Sequence, residues 1–326
     1  MATTALAALL SGCGRQSIVS PRSPQTGDIR TLWWLMLAVA TLVFAGAVMM
    51  LALGWVRRRQ EGLPFLRKWD REPVAQTLVV IFGIGIPVVV LVVLFAASDV
   101  YLVDKTSPPS PASTQMTVQV IGHQWWWEIR YPGTSAVTAN EIHIPTDTRV
   151  NVVATTADVI HSFWVPQLAR KIDEVPGRSN RVLLYTARAG TYRGQCAEFC
   201  GLQHANMSLY VVAQPRAAFR AWLANMSASA RPASAATAPG ARLFAASQCA
   251  SCHQIRGTAA RGTVGPDLTH VHTRSTLAAL TIPDRPSDLE RWIADPQRVK
   301  PGNRMPDLGL PPGQVAQIAA YLDSLS

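Results

Sequence analysis

Spare cysteines are missing from this chain. It has five, at positions 13, 196, 200, 249 and 252, and each falls in a short motif, so none is left for a general structural disulfide. Charge is scarce too: 15% of the 326 residues are charged, and the net +10 is not gathered in one place. Residues 115–215 carry 8 Lys/Arg against 7 Asp/Glu, and residues 240–326 carry 9 against 7. Nucleic-acid binders concentrate basic residues on one element, so nucleic acid is not an expected partner. Nor does any nucleophile stand with a general base in a catalytic arrangement, which points to a relay rather than a site of bond making.

Two long stretches lack charge altogether. Residues 31–56 would span about 39 Å as a helix, enough to cross a bilayer, and a second uncharged run covers Val74 to about Leu94. Two such lengths in succession are rare in water-soluble domains, so residues 31–98 read as a transmembrane helix hairpin. Trp33, Trp34 and Trp55 lie near the ends of the first run, where aromatic rings favour the interface. Between the runs stand Arg57, Arg58, Arg59, Arg67, Lys68 and Arg71, which place the connection in the cytoplasm. Everything after about Asp99 is then extracytoplasmic, giving a two-pass protein of the bacterial plasma membrane with its soluble domains on the periplasmic side. Residues 1–30 form a signal-like or lipoprotein-like start in which Leu10-Ser-Gly-Cys13 makes Cys13 the expected lipidation site. No Lys or Arg precedes Cys13, so a terminal stub with a chance cysteine is the competing reading.

From Met116 to Gln214 the pattern changes to short β-rich runs: Thr117–Ile121, Trp125–Tyr131, Arg149–Ala154, Arg181–Tyr185 and Ser208–Val212. Turn pairs such as Pro132-Gly133 and Pro176-Gly177 separate them, as in a β-sandwich or barrel. A helix over Arg216–Asn225 closes this domain, residues 115–226. Residues 227–239, rich in Ala, Ser and Pro, read as a flexible linker. The last 87 residues, 240–326, are helical in pattern, with Val315, Ile318, Ala319, Leu322 and Leu325 forming one apolar helix face.

The chemistry is concentrated in two motifs. Cys196, Cys200, His204 and Met207 put four soft or borderline metal ligands within twelve residues. Thiolate, imidazole and thioether suit copper, and two thiolates suggest two ions sharing sulfur ligands, because a mononuclear blue-copper site uses one Cys. His161 is the best candidate for a second imidazole. A Cys196–Cys200 disulfide is one alternative, and zinc, which rarely recruits Met, is another. The second motif, Cys249-Ala-Ser-Cys252-His253, has the C-x-x-C-H spacing of covalent haem attachment, with Cys249 and Cys252 as thioether sites and His253 as axial ligand. Thioredoxin-like and zinc readings lack the βαβ pattern or second cysteine pair they need. Met305, the single methionine after Met226, is the candidate sixth ligand, with His270 and His272 as alternatives.

Gly122-His-Gln-Trp-Trp-Trp127, His161-Ser-Phe-Trp-Val-Pro166, Lys171-Ile-Asp173, Pro176-Gly-Arg178 and Gly194 through Met207, after a two-helix hairpin, resemble cytochrome c oxidase subunit II over roughly residues 30–225. The resemblance implies a cupredoxin fold and a binuclear CuA centre held by His161, Cys196, Cys200, His204, Met207 and the Glu198 backbone carbonyl. It implies further that the Glu198 carboxylate meets a Mg²⁺ at the interface with subunit I, and that Trp125 is the tryptophan through which electrons come in. Trp126 and Trp127 are expected to pack, and His123 and His143 to be structural. Residues 300–306 resemble the distal-ligand loop of small class I cytochromes c, in which the proline carbonyl at Pro266 would hold the His253 imidazole. Where the family usually has an acid on its second helix, this chain has Val80, so no proton-uptake role is transferred.

The expected protein is therefore subunit II of a haem-copper terminal oxidase with a cytochrome c domain fused behind its CuA domain. Electrons from an external donor, such as a cytochrome c or a cytochrome bc complex, would reach haem c, then CuA, then the haem of subunit I, where O2 is reduced; subunit III is a further expected partner. The rivals are the CuA subunit of a nitric oxide reductase of the same superfamily and a membrane-anchored copper-binding or assembly protein.

Overall fold

The computed structural model describes residues 16–59, 72–103 and 107–326. Cys13 lies outside the described residues, as do Arg67, Lys68 and Arg71 of the basic connection. The chain divides into two compact units, Gly27–Ser107 and a larger one in which Pro108–Ser326 is joined by residues up to Thr26.

The smaller unit is helical. Helix α1 runs over Pro24–Arg59, beginning seven residues before the uncharged run. The reason lies in Ser23-Pro24-Gln25-Thr26. Ser23 N–H donates to Thr26 Oγ1 at 3.3 Å and Thr26 N–H donates to Ser23 Oγ at 3.2 Å, a reciprocal cap with proline in the first helical position. The second run is three segments: α2 (Glu72–Val80), a π-helical stretch at Ile81–Gly85, and α3 (Ile86–Ser98). Pro87 accounts for the break. It has no N–H for the carbonyl four residues back and its ring crowds that carbonyl, so the turn before it widens. Pro24–Val56 and Gln76–Ser98 are each long and apolar enough to span a membrane, and their most apolar windows have no buried residues.

In the larger unit, two five-stranded sheets form a sandwich. The first has the order β3-β2-β1-β5-β8, from Val137–Ala139, Trp126–Arg130, Met116–His123, Val150–Thr156 and Asn180–Leu184. The second has the order β4-β10-β9-β6-β7, from Glu141–Pro145, Ser208–Gln214, Gly190–Cys196, His161–Trp164 and Ile172–Glu174. All five strands read from the sequence are present. Those it missed are short (β3, β6, β7), buried on both faces (β4) or rich in glycine and polar residues (β9), so period-two alternation is weak in them. Alternation does hold in β1, where Val118 and Val120 face inward beside Trp127 and Ile129 of β2 and Phe163 of β6, all fully buried. Trp127 meets Phe163 edge-on with ring centres 6.0 Å apart, a packing role, and Trp126 stacks on His123 at 4.3 Å. His143 stacks on Trp222 at 4.0 Å.

Helix α4 (Arg216–Ser227) covers one end of the sandwich through Phe219 and Met226. Beyond it lie α5 (Ala238–Ala246), the single turn α6 (Cys249–Cys252), a hairpin of β11 (Thr276–Leu277) and β12 (Ile282–Pro283), then α7 (Pro286–Ala294), α8 (Pro296–Val299) and α9 (Pro312–Asp323). The expected apolar stripe of Val315, Ile318, Ala319, Leu322 and Leu325 is buried in one cluster with Phe244, Ile255, Leu289 and Ile293. The predicted linker is held at its first residues. Ala230 N–H donates to Arg256 O at 2.9 Å, Ala230 packs on the second core, and His270 Nε2 holds Ala228 O at 3.0 Å. Composition suggested freedom, but the backbone groups of residues 228–230 find partners on the following domain, while those around Ser234 bond within their own turn.

Candidate metal and haem centres

The first site lies where three backbone segments converge. β9 ends at Cys196, the loop of residues 197–207 folds over it, and Cys196 N–H closes that loop by donating to Met207 O at 2.9 Å. A second clamp, Ala197 N–H to Ser162 O at 2.9 Å, ties the loop to β6, which carries His161. In the sheet β6 runs between β9 and β7. Within the loop Gly201 adopts φ +114°, and a Cβ there would stand 3.0 Å from Trp125 Cζ2, so only glycine fits both demands.

The donor atoms fall into two halves. Cys196 Sγ and Cys200 Sγ are free thiols 3.8 Å apart, not a disulfide, whose sulfurs would be about 2 Å apart. On one side, His161 Nδ1 is 3.9 Å and Glu198 O 3.2 Å from Cys196 Sγ. On the other, His204 Nδ1 is 3.6 Å and Met207 Sδ 3.8 Å from Cys200 Sγ. Two sulfurs in the middle with an imidazole and one weaker donor on each side is a set that fits two copper ions, and the thioether disfavours zinc. His161, Cys196, Cys200 and Met207 are buried, so the site is dry on the protein side.

Electrostatics prepares the same atoms. Hydrogen bonding with the Cys200 thiol holds the Cys196 thiol far below its ordinary value, with help from His161. Cys200 is pushed the other way by its hydrogen bond with Cys196, by burial and by the Cys196 charge, so a bound cation is what would let both sulfurs ionise. Asp158, which the sequence reading missed, accepts from His161 Nε2 at 2.8 Å and thereby turns Nδ1 towards the sulfurs. Burial works against the Asp158 charge, yet bonds from His161 and from the amides of Gln124 and Val159 outweigh it and hold the carboxyl at about 2.

Trp125 lies in the turn between β1 and β2 and is 8% exposed. Its Nε1 donates to Cys200 O at 3.0 Å, and Gln124 Nε2 donates to the same carbonyl at 2.8 Å. The Glu198 carboxylate is exposed, with Lys171 Nζ 3.9 Å away, and it is not part of the three-residue cluster His161, Cys196 and Cys200 found among the described residues.

The second site is built on α6. One helical turn brings the Cys249 carbonyl to His253 N–H at 2.9 Å, and Gly265 N–H donates to Cys252 O at 2.8 Å. His253 Nδ1 lies 2.8 Å from Pro266 O, a carbonyl that can only accept, so Nδ1 carries the proton. Burial holds the ring below its usual pKa, hence neutral, which leaves the Nε2 lone pair free for iron. A Cβ at Gly265 would come 2.5 Å from His253 Cε1, so the imidazole rests against a surface only glycine leaves open. These residues fit a c-type haem. Met305 is half-buried, its backbone fixed by Asn303 Oδ1 at 2.7 Å and Gln297 Nε2 at 2.9 Å. The alternative ligands are engaged elsewhere: His270 with Ala228 O, and His272 Nδ1 with Asp323 at 3.2 Å and Asp284 at 3.6 Å.

Residues 135–214 match the family described as Cytochrome C oxidase subunit II, periplasmic domain, and residues 237–326 match the family described as Cytochrome c. A cytochrome c oxidase subunit 2 from Alkalihalophilus pseudofirmus is 31% identical over 330 residues, covering 98% of this chain and 94% of that protein. Its counterpart in Bacillus subtilis is 31% identical over 238 residues, covering 68% of this chain and 66% of its own. The Branchiostoma floridae protein of the same name is 36% identical over 160 residues, covering 42% of this chain and 67% of its own.

Proposed function

This chain belongs to the cytochrome c oxidase subunit 2 family, and we propose that it relays single electrons from an external donor, by way of its own haem c and CuA, to the haem of subunit I. It is a subunit of the oxidase complex with a cytochrome c domain, and subunit I is its implied partner. When bound, the two groups supply one-electron redox chemistry without a proton donor or nucleophile from this chain.

The observation that carries the reading is the divided donor set, Cys196 and Cys200 3.8 Å apart with one imidazole on each side, in the same compact unit as a complete C-x-x-C-H turn. The residues hold rather than react. Asp158 orients His161, Pro266 orients His253, and burial keeps water from the sulfurs. Met305 is proposed as the sixth haem ligand, Trp125 as the tryptophan through which electrons come to copper, and Cys249 and Cys252 as the haem attachment points. The Glu198 carboxylate is proposed to meet a Mg²⁺ whose other donors come from subunit I. Subunit III and a cytochrome c or cytochrome bc donor complete the proposed assembly, with Cys13 as its proposed lipid anchor and the soluble domains on the periplasmic side.

Electron paramagnetic resonance of the oxidised, metal-loaded chain tests this directly. A hyperfine pattern from one electron shared by two equivalent coppers is expected; an isolated Cu(II) pattern overturns the binuclear assignment, and silence with bound zinc overturns the copper assignment. Stopped-flow reduction then separates relay from storage, because a metal-delivery protein has no use for rapid transfer from reduced haem to copper.

A further inference from the structure

Lys300 belongs to the haem-binding domain, at the end of α8, yet the residue is 3% exposed and its ammonium is surrounded by carbonyls from both domains. Nζ lies 2.9 Å from Trp125 O, 2.8 Å from Asn206 O and 3.0 Å from Ala278 O. An ammonium has three N–H donors, and three acceptors meet them. Trp125 is the residue under the Cys200 carbonyl, Asn206 immediately precedes Met207, and Ala278 lies in the turn between β11 and β12. One side chain thus joins the tryptophan turn, the copper loop and the haem domain.

Two further observations make this a built contact. Ala278, Ala279 and Leu280 are three successive non-glycine residues with φ of 54°, 58° and 68°, a left-handed run that persists only where its surroundings impose it. Its first carbonyl accepts from Lys300 and from Thr281 Oγ1 at 2.7 Å. Burial pushes the Lys300 ammonium down to about 7, and the three carbonyls are what meet the buried group in place of water. Around it, Gln203 Nε2 donates to Pro301 O at 2.5 Å, and Arg304 bonds Gln124 Oε1 with Asp158 4.0 Å away.

We propose that Lys300 is a positioning residue that locks the Met305 loop of the haem domain onto the copper loop and Trp125, fixing the arrangement across which electrons pass between the two centres. This rests on the relay reading above. The lock makes the haem domain a docked donor, and a weak tether could not hold the same geometry: truncating a buried, hydrogen-bonded charge at an interface shifts the docked population by more than about tenfold.

The test uses the full chain in its complex with subunit I, loaded with copper and haem, and compares wild type with Lys300→Met. After photoreduction of the haem, transfer to copper is expected to slow by about tenfold or more. Haem and copper spectra should stay unchanged, as should direct reduction of copper by a small ruthenium complex, which a general loss of structure would alter. Independently of loading, hydrogen exchange should rise at residues 203–207 and 278–281. Wild-type transfer in a spectrally intact Lys300→Met chain overturns the lock. If that variant does not fold, Arg304→Ala, at the rim of the same contact, should slow transfer in the same direction, and an unaltered rate overturns the lock equally. Absence of haem-to-copper transfer in the wild-type chain overturns the relay reading itself.

Discussion

Trp125 Nε1 donates to the carbonyl of Cys200 at 3.0 Å, so the indole is bonded directly to the backbone of a candidate copper ligand. Gln124 shares that carbonyl, which means Trp125→Phe leaves it with one donor and keeps the aromatic packing. The variant should bind copper normally, lose about 1 kcal/mol of stability, and pass electrons to copper more slowly in flash-photoreduction traces. Unchanged traces would remove Trp125 from the path.

Asp158→Asn addresses the orientation of His161. The carboxylate now accepts from Nε2 at 2.8 Å, and an amide there no longer stabilises the ring in the same way. Partners behind a metal-binding imidazole typically account for about 10- to 100-fold in affinity. Competitive copper titration should show a loss in that range, with haem incorporation unaffected.

At the other centre, Gly265→Ala places a methyl group 2.5 Å from His253 Cε1. Either the ring or the Gly265 backbone must move, at a cost of about 1–3 kcal/mol. Haem should still attach through Cys249 and Cys252, while the visible spectrum should show a weakened His253 ligand. The copper signal serves as the internal control.

Acid stability follows from Glu128. Burial raises its pKa, but hydrogen bonds from His123 at 2.9 Å and Arg130 at 2.5 Å prevail and leave it below the ordinary glutamate value. A carboxyl depressed in the folded state contributes stability that is complete above its unfolded pKa of about 4.3 and is lost as pH falls through the folded value. Thermal melts of Glu128→Gln should therefore lose less stability than wild type on acidification below about pH 4.3. Parallel curves would show that other groups govern the acid limb.

The sequence by itself placed the chemistry, because the ligands are local. Cys196 through Met207 and Cys249 through His253 are each a few residues long, and residue type alone restricts what they can hold. It also placed the apolar spans and the α9 stripe, since a missing charge or a helical period is visible in one dimension. What only the tertiary structure decided are the partners brought from far along the chain. The ordering of residues 228–230 against Arg256 and His270 follows from a chain crossing that no periodicity encodes, and Asp158, although only three residues before His161, is given its role by the fold of that turn rather than by any sequence pattern. Lys300 is the clearest case. As sequence it is one basic residue before Pro301-Gly302, and its place among the carbonyls of Trp125, Asn206 and Ala278 exists only because the two hydrophobic cores meet there and bring backbone acceptors from both sides to one point.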